Sequence, residues 1–232
     1  MSAASKTTSR TSYHHGDLRN ALTEAAVDLA RTGGPNAVVL REVARRVGVS
    51  ATAAYRHFAT HDDLLEEVKH AALSALYESI SVALAEALAG VPAEVAPGDL
   101  AETRLRAAAE GYIAFEAAQP GLFNTAFCHT AAEEVSDDLV AFTEVDSFQL
   151  LGRILDELVA AGRIEPARRP GADVAAWAAV HGFSVLLVDG PLRNHLTDEQ
   201  RAFVQRQTVD MIIQGLKAPA GASGPAGSVF QG

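Results

Sequence analysis

Thr52, Tyr55, Arg56 and His57 crowd into six residues, interleaved with Ala53 and Ala54, while Ser50 and Ala51 lead into them and Arg41, Arg45 and Arg46 stand just upstream. Hydroxyl and guanidinium groups donate hydrogen bonds to anionic oxygens, and small side chains between them let a backbone come close to a surface. Thr52 can donate or accept, and the methyls of Ala51, Ala53 and Thr52 suit an apolar spot such as a thymine methyl. The Tyr55 hydroxyl suits a phosphate oxygen, a contact that fixes position without reading sequence.

A second set lies between residues 105 and 186: Tyr112, Phe115, Phe123, Phe127, Cys128, His129, Phe142, Phe148, Trp177, His181 and Phe183. Aromatic rings with a few polar tips are what lines a small-molecule cavity in a helical bundle. Taken singly, each ring reads more simply as core. The ligand-lining candidates are Tyr112, Phe115, Phe123, Phe127, Cys128, His129, Phe142, Trp177 and His181. His181 falls on the apolar stripe of its helix, where a histidine satisfied within the core is the plainer reading, and Cys128 has no basic cluster beside it to make a reactive thiolate. We find no nucleophile motif, no glycine-rich phosphate loop and no metal-ligand spacing. His14 and His15 are adjacent and face different ways. No catalytic residue, metal or cofactor is therefore assigned.

These side chains must be positioned by helices. Alanine and leucine are abundant, apolar residues recur at three and four, and no strand pattern of useful length occurs. The spacing predicts a first helix over about 16–31 with Leu18, Leu22, Ala25, Ala26 and Leu29 on one stripe, ended by Gly33, Gly34 and Pro35. Short helices follow over about 40–47 and 50–58, separated by Gly48, with Ser50 as N-cap. Ala44 is small enough for the two to cross, and Val43, Val47, Val49, Ala54 and Phe58 clamp them. A long helix runs over about 61–88, and further helices are expected over about 99–117, 121–128, 134–161, 172–189 and 198–216. The last two are apolar enough to pair with a second copy.

Charge divides the chain. Residues 1–60 hold eight basic and four acidic side chains, whereas the remainder holds eleven and twenty-five, within a total of -10. A polyanion is attracted by the first quarter and repelled by the rest. One cysteine excludes a disulfide within the chain and suits a reducing cytoplasm. The nearly apolar run from Val174 to Val188 is short for a membrane span and contains His181, so no membrane partner is expected. Residues 1–12 read as a disordered arm and 218–232 as a disordered tail.

Residues 13–65 resemble the DNA-binding domain of the TetR/AcrR family. The matching pieces are Tyr13-His-His-Gly-Asp-Leu-Arg19, Leu40-Arg-Glu-Val-Ala44, Gly48-Val-Ser50, Tyr55-Arg-His-Phe58 and Asp63-Leu-Leu65. Trp177 followed by His181-Gly182 is similar to the Trp-x-x-x-His-Gly motif of one C-terminal subgroup. The resemblance implies an all-α protein of about nine helices: a three-helix DNA-binding domain with a helix-turn-helix over 13–60, then a helical bundle over 61–217 that binds ligand and dimerises. It implies a homodimer on a palindromic double-stranded operator, usually as a repressor released by a small-molecule effector. DNA contacts would fall on Thr52, Ala53, Tyr55 and His57 with Arg41 nearby, and His61 takes a further family contact position; the residue types add Arg45, Ser50, Ala51 and Arg56. The sequence departs from the family in three places. Val39 stands where a capping threonine is usual, His61 where a lysine is usual, and Ala54 where a larger apolar residue is usual. Two other classes of function remain in view: a helical enzyme using His129 and His181 with a buried carboxylate, and an interaction module whose basic end binds an acidic protein.

Overall fold

The computed structural model describes residues 15–128, 145–188 and 190–219. Among them it contains nine α-helices and no strand: α1 His15–Gly33, α2 Leu40–Val47, α3 Ala51–Tyr55, α4 His61–Ala89, α5 Pro97–Ala118, α6 Pro120–Ala126, α7 Asp146–Ala160, α8 Ala172–Val188 and α9 Asp198–Lys217. Of the helix expected over 134–161, residues 146–160 form α7, and 134–144 lie outside the described residues, as do 1–12 and nearly all of 218–232.

The N-terminal head follows from local chemistry. Gly48 ends α2 with φ +81°, a left-handed conformation that a side chain resists. The amide of Val49 then returns to the Ala44 carbonyl at 2.9 Å, folding the turn back on the helix. The Ser50 hydroxyl accepts from the Ala53 amide at 3.2 Å and starts α3. Helix α3 ends at Tyr55, three residues before the expected end. The chain still bonds His57 and Phe58 amides to the Ala54 carbonyl, but Phe58 is wholly buried and pulls the backbone inward before α4 begins. Burying that ring stabilises the junction by about 1.5–3 kcal/mol. Thr60 and Asp63 form a reciprocal capping box at the start of α4.

Helix α4 ties head to body. Its buried stripe is Leu64, Leu65, Val68, Ala72, Leu76 and Ile80. The first three meet a head core containing Leu22, Ala26, Val38, Val43, Ala44, Ala54 and Phe58. The last ones meet α5, where Gly111 permits the closest approach: a Cβ there would stand 2.6 Å from the Ile80 Cα. The Ser79 hydroxyl closes this crossing on the Gly111 carbonyl at 2.9 Å. Among the described residues α4 is the one helix long and apolar enough to cross a membrane; here its apolar stripe packs on α1, α5 and α6. Helices α5, α7, α8 and α9 complete the body, with Leu105, Ile113, Ile154, Leu155, Leu158, Val180 and Ile213 at its centre.

Candidate nucleic-acid interface and internal cavity

Helix α3 has two unlike sides. Ala54 is wholly buried against the head core, while Thr52, Tyr55 and Arg56 are exposed and Ala51, Ala53 and His57 half-buried. Tyr55 leaves 46% of its surface in solvent. Ser50 also faces outward, although its hydroxyl is engaged in capping. Arg41 on α2 is exposed and joins no ion pair among the described residues.

Arg45 and His61 are placed differently from that set. Arg45 forms a two-pronged pair with Glu42, at 2.8 and 2.7 Å, and Arg46 reaches the same carboxylate at 3.3 Å. The Arg45 guanidinium, helped by Arg46, holds the Glu42 carboxyl down at about 2. Arg45 is thus partly neutralised at the edge of the reading surface, and a phosphate would have to compete with Glu42 for it. His61 sits at the junction of α4 with the chain before α2: Nε2 lies 2.7 Å from the Val38 carbonyl and Nδ1 3.2 Å from Asp62 Oδ1.

Arg19, absent from the sequence-derived site, fixes the attitude of α3. From α1 its Nη1 donates to the His57 carbonyl at 2.7 Å, its Nη2 pairs with Glu67 on α4 at 2.5 Å, and its guanidinium lies 4.4 Å from the centre of the Phe58 ring. One side chain therefore joins α1, the segment leaving α3 and the first turns of α4. A planar cation with several donors does this where lysine, a point charge, does not.

The body holds a partly open cavity of about 60 Å³ whose walls come from α4, α5, α7, α8 and α9 with Phe127 at the end of α6. Tyr112, Phe127 and Trp177 line it, as the aromatic pattern suggested. Phe148 lines it too, with Ser147 and the aliphatic residues Leu76, Ile80, Leu105, Leu151, Val180, Val209 and Ile212. Phe115 does not: it is 1% exposed and belongs to the packed core, because α5 buries several faces at once. Phe123 and His181 stand behind the wall, stacked with ring centres 5.4 Å apart, and Cys128 packs against the core margin. His129 and Phe142 lie outside the described residues.

The polar tips meet on Tyr112. The Trp177 indole donates to the Tyr112 hydroxyl at 3.2 Å, and that hydroxyl lies 2.7 Å from His181 Nδ1. Burial pushes the Tyr112 pKa up, aided by the nearby charge of Glu116, and burial pushes the His181 pKa down. Both groups are neutral at neutral pH. The Trp and His of the quoted motif thus converge on one hydroxyl sixty-five and sixty-nine residues away in sequence.

Helix α6 spans the distance from cavity to head. At its C-terminal end Phe127 is in the cavity wall. At its N-terminal end Gly121 rests on the last turn of α1, where a Cβ would stand 2.2 Å from the Ala30 carbonyl oxygen. Only glycine allows that approach.

Comparison with known proteins agrees with this division. Residues 22–68 match the family described as bacterial regulatory proteins, tetR family, and residues 105–211 match the tetracyclin repressor-like C-terminal domain. Among solved structures, a protein of unknown function from Rhodococcus sp. RHA1 is 28% identical, with a TM-score of 0.66 over 90% of this chain and 100% of that one. The putative regulatory protein SCO4313 is 20% identical, with a TM-score of 0.61 over 86% and 96% of the two chains. The TetR family transcriptional regulator PfmR from Thermus thermophilus is 21% identical, with a TM-score of 0.55 over 89% and 99%. The latter two show the shared fold. No curated protein matches the chain.

Proposed function

Since the chain belongs to the TetR family and is a DNA-binding regulator, we propose that it is a cytoplasmic homodimeric repressor that leaves a palindromic operator when a small molecule enters the α4–α9 cavity. The observation that carries this reading is the two-sided α3: Ala54 locked in the core, and Thr52, Tyr55 and Arg56 turned outward on a head that is basic while the body is acidic. Thr52 and the alanine methyls read base edges in the major groove. Tyr55, Arg41 and Arg56 hold phosphates.

Dimerisation is supported by large apolar side chains left in solvent on the last two helices: Val185 and Leu186 on α8, Phe203 and Met211 on α9, the last 73% exposed. A second copy related by a twofold axis covers the same faces on both partners. Each head then meets its own half-site, about 34–36 Å from the other.

Release follows from the cavity being small. At about 60 Å³ it falls short of the roughly 150 Å³ that admits a benzene ring, so an effector displaces a wall. Phe127 is one such wall, and α6 transmits its displacement to the last turn of α1 through Gly121. Head separation changes, and each 1.4 kcal/mol of lost complementarity costs about tenfold in operator affinity. A mobility-shift assay on the DNA upstream of the protein's own gene, at two salt concentrations, tests the reading. A shifted band whose affinity falls steeply with salt is expected. Absence of a shift at low salt would overturn it.

A further inference from the structure

The cavity's polarity specifies the kind of molecule it takes; this step rests on the cavity being the effector site. Among the described residues no charged side chain lines it, and the sequence from 129 to 144 contains no lysine or arginine that could supply one. The carboxyl group whose field reaches Tyr112 is that of Glu116, 2% exposed one helical turn further along α5 and outside the cavity wall. An anion entering here loses its water, finds no cation and meets a negative field, and an ammonium loses its water with no carboxylate among the described wall residues to pair with it, which outweighs the field of Glu116 from outside the wall.

The hydrogen bonds on Tyr112 leave one valence open. A phenol hydroxyl has one proton to give and two lone pairs to accept with. Indole only donates, so the 3.2 Å contact from Trp177 occupies one lone pair. His181 Nδ1 lies 2.7 Å from the hydroxyl; burial keeps the imidazole neutral, and with its proton on Nε2, the commoner tautomer of a neutral imidazole, Nδ1 accepts. The tyrosine proton is therefore committed to His181. What remains is a single lone pair, in a ring that itself lines an otherwise apolar chamber.

We propose that the effector is a neutral, mostly apolar ring compound bearing one hydrogen-bond donor, a hydroxyl, that Tyr112 accepts. The tilted ring of Phe127, 6.1 Å from Trp177, and the aliphatic walls supply the affinity, and Tyr112 supplies the discrimination. A ligand that brings only an acceptor would cover the Tyr112 lone pair and leave it without a partner.

Four naphthalenes that differ in one substituent test this by titration calorimetry on the full-length protein: 2-naphthol, 2-methoxynaphthalene, 2-naphthoate and the ammonium form of 2-naphthylmethylamine. The naphthol should bind at least tenfold more tightly than the ether and a hundredfold more tightly than either ion. Tyr112→Phe should bring the naphthol to the affinity of the ether. An ether that equals the naphthol in the wild-type protein overturns the donor assignment. A carboxylate or ammonium that binds best overturns neutrality, and silence from all four overturns the proposed ligand class. Operator affinity measured in parallel separates the two ideas. Naphthol that binds selectively yet leaves operator affinity unchanged contradicts the effector role and not the ligand chemistry.

Discussion

Replacing Arg19 by alanine should weaken DNA binding without removing a DNA contact. The side chain contributes three interactions: a charge-assisted hydrogen bond to the His57 carbonyl, an ion pair with Glu67 and a stack over Phe58. A hydrogen bond to a charged group is worth about 1.5–3 kcal/mol, an exposed cation over a ring about 0.5–1 kcal/mol. The ion pair, with 43% and 38% of its two side chains exposed, adds about 0.2–1 kcal/mol after solvent screening. Ordering a long side chain opposes these by up to roughly 2 kcal/mol, and the half-exposed setting argues for the lower ends. A net loss of about 1–2 kcal/mol follows, which for a chain of this size lowers the melting temperature by about 2–8 °C. Operator affinity should fall three- to tenfold, about 0.7–1.4 kcal/mol, because the segment leaving α3 is no longer pinned to α1 and α4. The slope of log affinity against log salt is the decisive readout. Loss of a phosphate contact would reduce it by about 0.9, whereas loss of a positioning residue leaves it unchanged. Arg19→Lys, which keeps the charge but not the fork, should recover part of the thermal stability and little of the affinity. A reduced slope would show that Arg19 touches DNA directly, and an unchanged melting temperature together with unchanged affinity would refute the clamp.

Tyr55→Phe should cost about tenfold in affinity, about 1.4 kcal/mol, equally on all duplexes; binding to a panel of operator variants checks this, and altered base preference would place Tyr55 on a base edge instead. Gly121→Val forces β-branched bulk onto the α1 carbonyls, so unfolding by denaturant should show a loss of about 1–3 kcal/mol with a parallel change in operator affinity. The His181 pKa is lowered in the fold from an ordinary value of about 6.5, so the unfolded chain binds the proton first. The stability contributed by the neutral ring is complete above that value and is lost as pH falls through it towards the folded value. Melting curves between pH 7.5 and 5 should show this decline, and His181→Gln should flatten it.

The turn of the head was readable because its determinants are local: Gly48 for a left-handed backbone, Ser50 for a cap, and alternation of apolar residues that placed α2 over Leu40–Val47. The early end of α3 was not, since it depends on where Phe58 is buried. Arg19 escaped notice because its partners are 38 and 48 residues away, although it lies in a quoted motif. Glu42 could have been paired with Arg45 from their spacing of three on one helix, and the reading of Arg45 as a phosphate ligand overlooked it. In the body, periodicity marked aromatic residues as inward-facing but could not separate core from cavity wall. Phe115 and Tyr112 sit on the same helix and Phe148 was left off the ligand set; only the packing of α5 against α4, α7 and α8 distinguishes them. The polar node at Tyr112 joins two helices far apart in sequence, and neither Trp177 nor His181 carries a signal of it by itself.

Selecting bound duplexes from a random-sequence pool with the full-length protein tests sequence-specific recognition by a twofold pair of heads most directly. Enrichment of a twofold-symmetric motif is expected, with half-site centres about 10–10.5 base pairs or a multiple apart and with Thr52→Ala altering the enriched bases. An asymmetric motif, or a pool that emerges unenriched at low ionic strength, would contradict it.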